Sequence, residues 1–128
     1  MAFNIMTMSR VVAPLTEAER RKVLERDHYC CRYCGLDGKA CFENALVMSV
    51  DFVLPRAHKG SKEASNLVAC CRACNMIKGT RVYNSFEDAR RHVLARREEL
   101  LRTWEARFGH HAHPAELPEL HPELCAGL

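Results

Sequence analysis

Two pairs of cysteines, Cys31 with Cys34 and Cys71 with Cys74, carry the spacing in this sequence that most directly implies chemistry. Each pair is a Cys-x-x-Cys, and 36 residues lie between the two. Four thiolates from two such knuckles satisfy a tetrahedral zinc ion, so the spacing predicts one structural zinc site. Gly35 follows the second cysteine directly and can adopt the positive φ that turns backbone N–H groups toward sulfur. Cys30 and Cys70 adjoin the predicted ligands; each reads either as a small buried hydrophobe or as a ligand with the register shifted by one. Cys41 and Cys125 have no partner that spacing identifies.

Closing that site requires the segment between the knuckles to fold back on itself, and the sequence supplies elements that can do it. The apolar stretch from Ala45 to Leu54 is short enough for one strand and is stopped by Pro55. A polar loop around His58 to Glu63 follows, and Leu67-Val68-Ala69-Cys70 is a second strand able to pair with the first. Cys71 to Lys78 is helical in onset and ends at Gly79. Leu36 to Asn44, with Asp37-Gly38, reads as a turn.

Helices are expected on both sides. Thr16 with Glu19 forms a capping box that opens a helix from Glu17 to about Arg26, with Ala18, Val23 and Leu24 as inward positions. Ser85 with Asp88 repeats the pattern, opening a helix to about Phe108. Along it Phe86, Ala89, Val93, Leu100, Trp104 and Phe108 recur at helical spacing, broken by Arg97, and read as a core stripe. Arg90, Arg91, Arg96 and Arg102 lie off that stripe, diluted by Glu98, Glu99 and Glu105, and read as a solvated face.

Length and composition bound the rest. At 128 residues the chain is one small domain with appendages. The boundaries predicted are an arm at 1–14, a domain at 15–108 with its zinc core at about 27–82 and its last helix at 85–108, and a tail at 109–128. Clustered His110, His111, His113 and His121 fall in that tail at no recurring ligand spacing, and it reads as a pliable extension. With no run of 18 apolar residues and no charged start leading into an apolar segment, the expectation is no membrane contact, no secretion and a reducing, cytoplasmic setting for the thiols. The net charge of +3 says little, but residues 51–82 hold six basic side chains against two acidic ones, a balance suited to phosphate contact.

Cys31-x-x-Cys34-Gly35, Val50-Asp51-Phe52-Val53-Leu54-Pro55, Gly60, Asn66-Leu67-Val68 and Cys71-x-x-Cys74-Asn75-x-x-Lys78-Gly79 follow one another in an order that resembles the HNH endonuclease family in its four-cysteine zinc form. The resemblance covers about residues 20–82. It implies a small α+β fold, a zinc-stapled ββα-metal core (the His-Me finger) flanked by an N-terminal and a C-terminal helix. It also implies magnesium- or manganese-dependent hydrolysis of DNA phosphodiesters, with zinc purely structural. Carried over by position, Asp51 and Asn75 correspond to holders of the catalytic cation and Asn66 to the residue that orients the general base. Arg56, Lys59, Lys62, Lys78 and Arg81 are the expected nucleic-acid contacts.

The position of the family's histidine base is Phe52, and a phenyl ring accepts no proton and coordinates no cation. The resemblance therefore leaves several readings open: an attenuated nuclease, an enzyme in which His58 substitutes as base from the loop, a catalytically dead nucleic-acid-binding zinc module, or a scaffold turned to another reaction or a protein partner. DNA is the expected ligand, with RNA as the alternative. The small size leads to the expectation of a homodimer or of a partner protein that supplies specificity.

Overall fold

In the computed structural model, which describes residues 11–109, helix α1 spans Glu17–Arg26 and α2 Phe42–Leu46. Strand β1 spans Met48–Phe52 and β2 Leu67–Cys71, followed by α3 at Arg72–Lys78 and α4 at Phe86–Phe108. Most of the proposed arm and all of the tail after Gly109, with Cys125 and its four histidines, lie outside the described residues.

The capping box predicted for α1 is present. Thr16 Oγ1 accepts from the Glu19 amide at 3.1 Å, and Glu19 Oε1 accepts from the Thr16 amide at 2.7 Å. Val23 and Leu24 turn inward as expected, whereas Ala18 stays exposed. At the C-terminal end Asp27 ties α1 to its neighbours. Its carboxylate accepts from Arg26 Nε and Nη2, both at 2.9 Å, from Arg32 Nη1 at 3.3 Å and from the Ala69 amide at 2.9 Å. Arg26 reaches on to the carbonyls of Ala64 and Leu67.

The strands form an antiparallel pair in the register Met48↔Cys71 to Phe52↔Leu67. β1 begins three residues later than its apolar composition suggests, because Phe42–Leu46 coil into α2, with the Asn44 side chain donating to the Asp37 carbonyl at 3.0 Å. Five residues are too few to display a helical period, so sequence reading merges them with the strand and the turn before it. β2 is buried at every position. Its outer edge is not left open: Arg32 N donates to Ala69 O at 2.9 Å, and the Ala69 amide goes to Asp27.

Residues 53–66 connect the strands through two single 3-10 turns, at Arg56–His58 and Ala64–Asn66. Asn66 fastens the connection. Its Oδ1 accepts from the Leu54 amide at 2.8 Å, and its Nδ2 donates to the carbonyls of Leu54 (3.1 Å) and Ser61 (2.9 Å). Gly60 closes the loop so tightly that a Cβ there would sit 1.7 Å from Leu54 O.

The main core gathers Tyr33, Val68, Cys70, Ala89 and Val93 around the cysteine cluster, and a second, smaller group joins Leu24, Met48 and Ala69 on the α1 side. α4 is capped by Ser85 Oγ, which accepts from the Asp88 amide at 3.1 Å. The reciprocal half of the box is not made; the shorter Asp88 side chain pairs with Arg91 instead. Only the first half of the expected stripe is core. Beyond Arg97 the same face runs past the edge of the domain, and Leu100, Leu101 and Phe108 are 41%, 45% and 51% exposed.

Candidate metal centre and nucleic-acid-facing groove

The two knuckles meet at the junction of β2, α3 and α4. The Sγ atoms of Cys31, Cys34, Cys71 and Cys74 all lie within 4.8 Å of one another. Each knuckle directs an amide at its own first sulfur, from Cys34 N to Cys31 Sγ at 3.4 Å and from Cys74 N to Cys71 Sγ at 3.5 Å. Gly35, at φ +83°, completes the first turn. In the second, Cys71 is also the N-cap of α3, so one residue ends a strand, starts a helix and offers a ligand.

Four thiols this close compete for protons. Hydrogen bonds from Cys34, Cys71 and Cys74 push the Cys31 thiol far toward ionisation, and the same competition drives Cys34 and Cys74 upward. A dication resolves that competition by taking all four as thiolates, and a soft tetrahedral sulfur set fits zinc. The ligand register is thereby fixed. Cys70 is fully buried in the core, where burial pushes its thiol up, and Cys30 turns aside toward Asp37 and Lys39.

Arg97 supplies a partner that sequence reading treats only as an interruption in an apolar stripe. Its Nη1 donates to Cys74 Sγ at 3.6 Å. Burial would lower its pKa, but the surrounding sulfurs hold the guanidinium above its ordinary value. The break in the stripe was the available signal: a charged side chain on a buried helix face needs a buried counter-charge beneath it.

The expected phosphate-side residues lie along the other surface of α3. Val50, Asp51, Phe52, Pro55, Arg56, Ala57, Asn75, Gly79 and Thr80 line an open groove of about 300 Å³. The structure thus brings together Asp51, Phe52, Asn75 and Arg56, which sequence reading assigned to one site. Asn66 stands behind it, bracing the end of β1. His58 is exposed on its 3-10 turn and is not in the lining. Among the described residues no histidine lines this groove.

Asp51 forms part of the floor but is 5% exposed, and both of its oxygens are engaged. Tyr33 Oη donates to Oδ2 at 2.6 Å, and Lys78 Nζ lies 3.3 Å from Oδ1. Burial pushes the Asp51 carboxyl up, against the pull of Tyr33 and Lys78. The same burial, with the carboxylate alongside, raises the Tyr33 hydroxyl. This arrangement does not fit a divalent cation at Asp51, because an ammonium already supplies the counter-charge and would repel a second cation.

Lys78 is itself corrected by this geometry. At 1% exposure, with Nζ also donating to the Phe52 carbonyl at 3.1 Å, it is a buried structural cation and not a phosphate contact. Lys62 pairs with Glu19 at 3.0 Å. Arg56 faces the groove, while Lys59 and Arg81 are exposed nearby in the chain.

Residues 31–90 match the family model described as HNH endonuclease. The match runs from the first zinc-type knuckle through the hairpin and α3 into the first turns of α4, so this segment is similar to that family, and its four-sulfur cluster is consistent with the four-cysteine form. No curated protein and no solved structure matches the chain.

Proposed function

We propose that this HNH-like domain binds nucleic acid, DNA in the first place, and hydrolyses phosphodiesters weakly or not at all. The observation that carries this reading is Phe52, which occupies the position of the general base at the end of β1 and opens onto a groove whose described lining holds no imidazole. Loss of a general base typically lowers a rate by about 10² to 10⁴. The engagement of Asp51 by Tyr33 and Lys78 points the same way, since magnesium or manganese would have to displace an ammonium to reach it. The family match and the basic balance of residues 51–82 support contact with a polyanion.

The test is twofold. Binding of plasmid and of short oligonucleotides is measured across a salt series, and cleavage of supercoiled plasmid is followed in magnesium, manganese and EDTA for the unchanged protein, Phe52→His and His58→Ala. Salt-sensitive binding without cleavage by the unchanged protein supports the reading. Metal-dependent cleavage that His58→Ala abolishes would overturn it in favour of an enzyme with its base on the loop.

A further inference from the structure

The groove lining offers an aromatic ring and polar side chains side by side. Phe52 ends β1 half-buried, with its ring on the groove wall and the Arg56 guanidinium 6.0 Å from the ring centroid. Arg56 Nε donates to the Val12 carbonyl at 3.1 Å, which anchors the guanidinium beside the ring; its other N–H groups make no hydrogen bond among the described residues. On α3 the half-buried Asn75 side chain likewise makes none there, so its amide offers a donor and an acceptor to the groove. Thr80 adds a hydroxyl at the same wall, and Arg81 follows it at the surface.

An aromatic face, a planar cation and an amide able to give and take a hydrogen bond are together what an unpaired nucleobase requires. Its π-face stacks on the ring or the guanidinium, and its polar edge pairs with the amide. A base inside a duplex offers neither face, because its neighbours cover both. We infer that the groove lined by Phe52, Arg56, Asn75 and Thr80 holds one unpaired base, and that the residue standing in the general-base position serves as its stacking platform. The inference rests on the nucleic-acid-binding reading above and narrows its ligand to single-stranded or locally opened nucleic acid.

The floor of the groove favours this occupant over a phosphate held by a cation. Lys78 and Asp51 neutralise each other beneath Phe52, so the base would lie over an internally balanced pair. Phosphates flanking the base would fall toward exposed basic side chains, of which Arg81 is the nearest in sequence to the groove wall.

The experiment uses short oligonucleotides carrying the fluorescent base 2-aminopurine, as single strands and as perfect duplexes, with the full chain and the variants Phe52→Leu, Phe52→Trp and Asn75→Ala. Zinc content and circular dichroism establish that each variant is folded. The expected result is tighter binding of the single strand than of the duplex, with 2-aminopurine quenched on binding. Phe52→Leu should weaken single-strand binding at least about fivefold, while Phe52→Trp retains it. Equal affinity for the two forms, with no effect of Phe52→Leu, would overturn the stacking site while leaving nucleic-acid binding intact. Absence of binding to either form would overturn both readings.

Discussion

Lys78 Nζ lies 3.3 Å from Asp51 Oδ1, and their side chains are 0% and 5% exposed. The pair joins the end of α3 to β1 directly beneath Phe52, whose carbonyl completes the ammonium's shell. Each member answers the other's burial, which makes the pair sensitive to loss of either one alone.

Lys78→Met should therefore destabilise the domain by about 3–5 kcal/mol, because it leaves Asp51 buried without its counter-charge. The double replacement Asp51→Asn with Lys78→Met should recover most of that loss, since an amide oxygen still accepts from Tyr33. Urea denaturation of the two variants measures both. A single variant within about 1 kcal/mol of the unchanged protein would show that the pair is open to solvent in solution.

Removing zinc should unfold the core, since the knuckles meet only through their sulfurs and the residues packed around them. Arg97→Met keeps the apolar length of the side chain but removes the donor to Cys74 Sγ. It should lower zinc affinity by about 10- to 100-fold while one zinc per chain is still bound at saturation. Competition against a chromogenic chelator reads this directly, and an unchanged affinity would mean that Arg97 only packs against the cluster.

Asp27 carries a pH dependence with a defined sign. Burial would raise its carboxyl, but Arg26, the Ala69 amide and Arg32 together hold it below the usual carboxylate range. Its contribution is thus present above the unfolded-state value of about 3.9 and lost as pH falls through the lower folded-state value. Asp27→Asn should cost about 2–3 kcal/mol near neutrality. The gap between the two proteins should narrow below about pH 4. Because the thiolates titrate in both, the difference isolates Asp27; a gap that stays constant down to pH 3 would count against ionised pairing.

Gly60→Ala should loosen the connection between the strands, since the added methyl would meet the Leu54 carbonyl at 1.7 Å and the backbone must move to admit it. A destabilisation of about 1–3 kcal/mol is expected. Amide exchange should quicken first at Leu54 and Gly60, the donors to Asn66 Oδ1 and to the Pro55 carbonyl. Unaltered exchange at both would show that the loop accommodates the methyl without opening.

The strongest sequence signals were those in which one residue type admits few roles. Four cysteines at paired spacing, Thr16 with Glu19, and Gly79 as a stop each limit the local backbone, and the structure agrees at each; β1 ends at Phe52, two residues short of the end of the stretch that Pro55 closes. The residues that sequence reading placed or weighed wrongly act through partners distant in the chain. Lys78 looks like a surface cation until Asp51 is folded beneath it, and Arg97 looks like a break in an apolar stripe until Cys74 is folded against it. Periodicity also overreached on α4, because Leu100 and Phe108 continue the helical repeat but stand exposed. Hydrophobic spacing records which face a helix prefers to bury, not how far its neighbour extends.

That overhang determines what an optical experiment on this protein can see. Trp104, the sole indole in the chain, rests on Phe108 with ring centroids 5.6 Å apart, beyond the turn at which Arg97 meets the sulfurs. Intrinsic tryptophan emission is accordingly a gauge of the far end of α4, and a melt followed at that wavelength would register fraying there before the sulfur-bound centre has moved. The core holds Tyr33, closed to solvent and bonded to Asp51, with Tyr29 and Tyr83 packed against it, so tyrosine absorbance rather than tryptophan emission is the signal that follows the core.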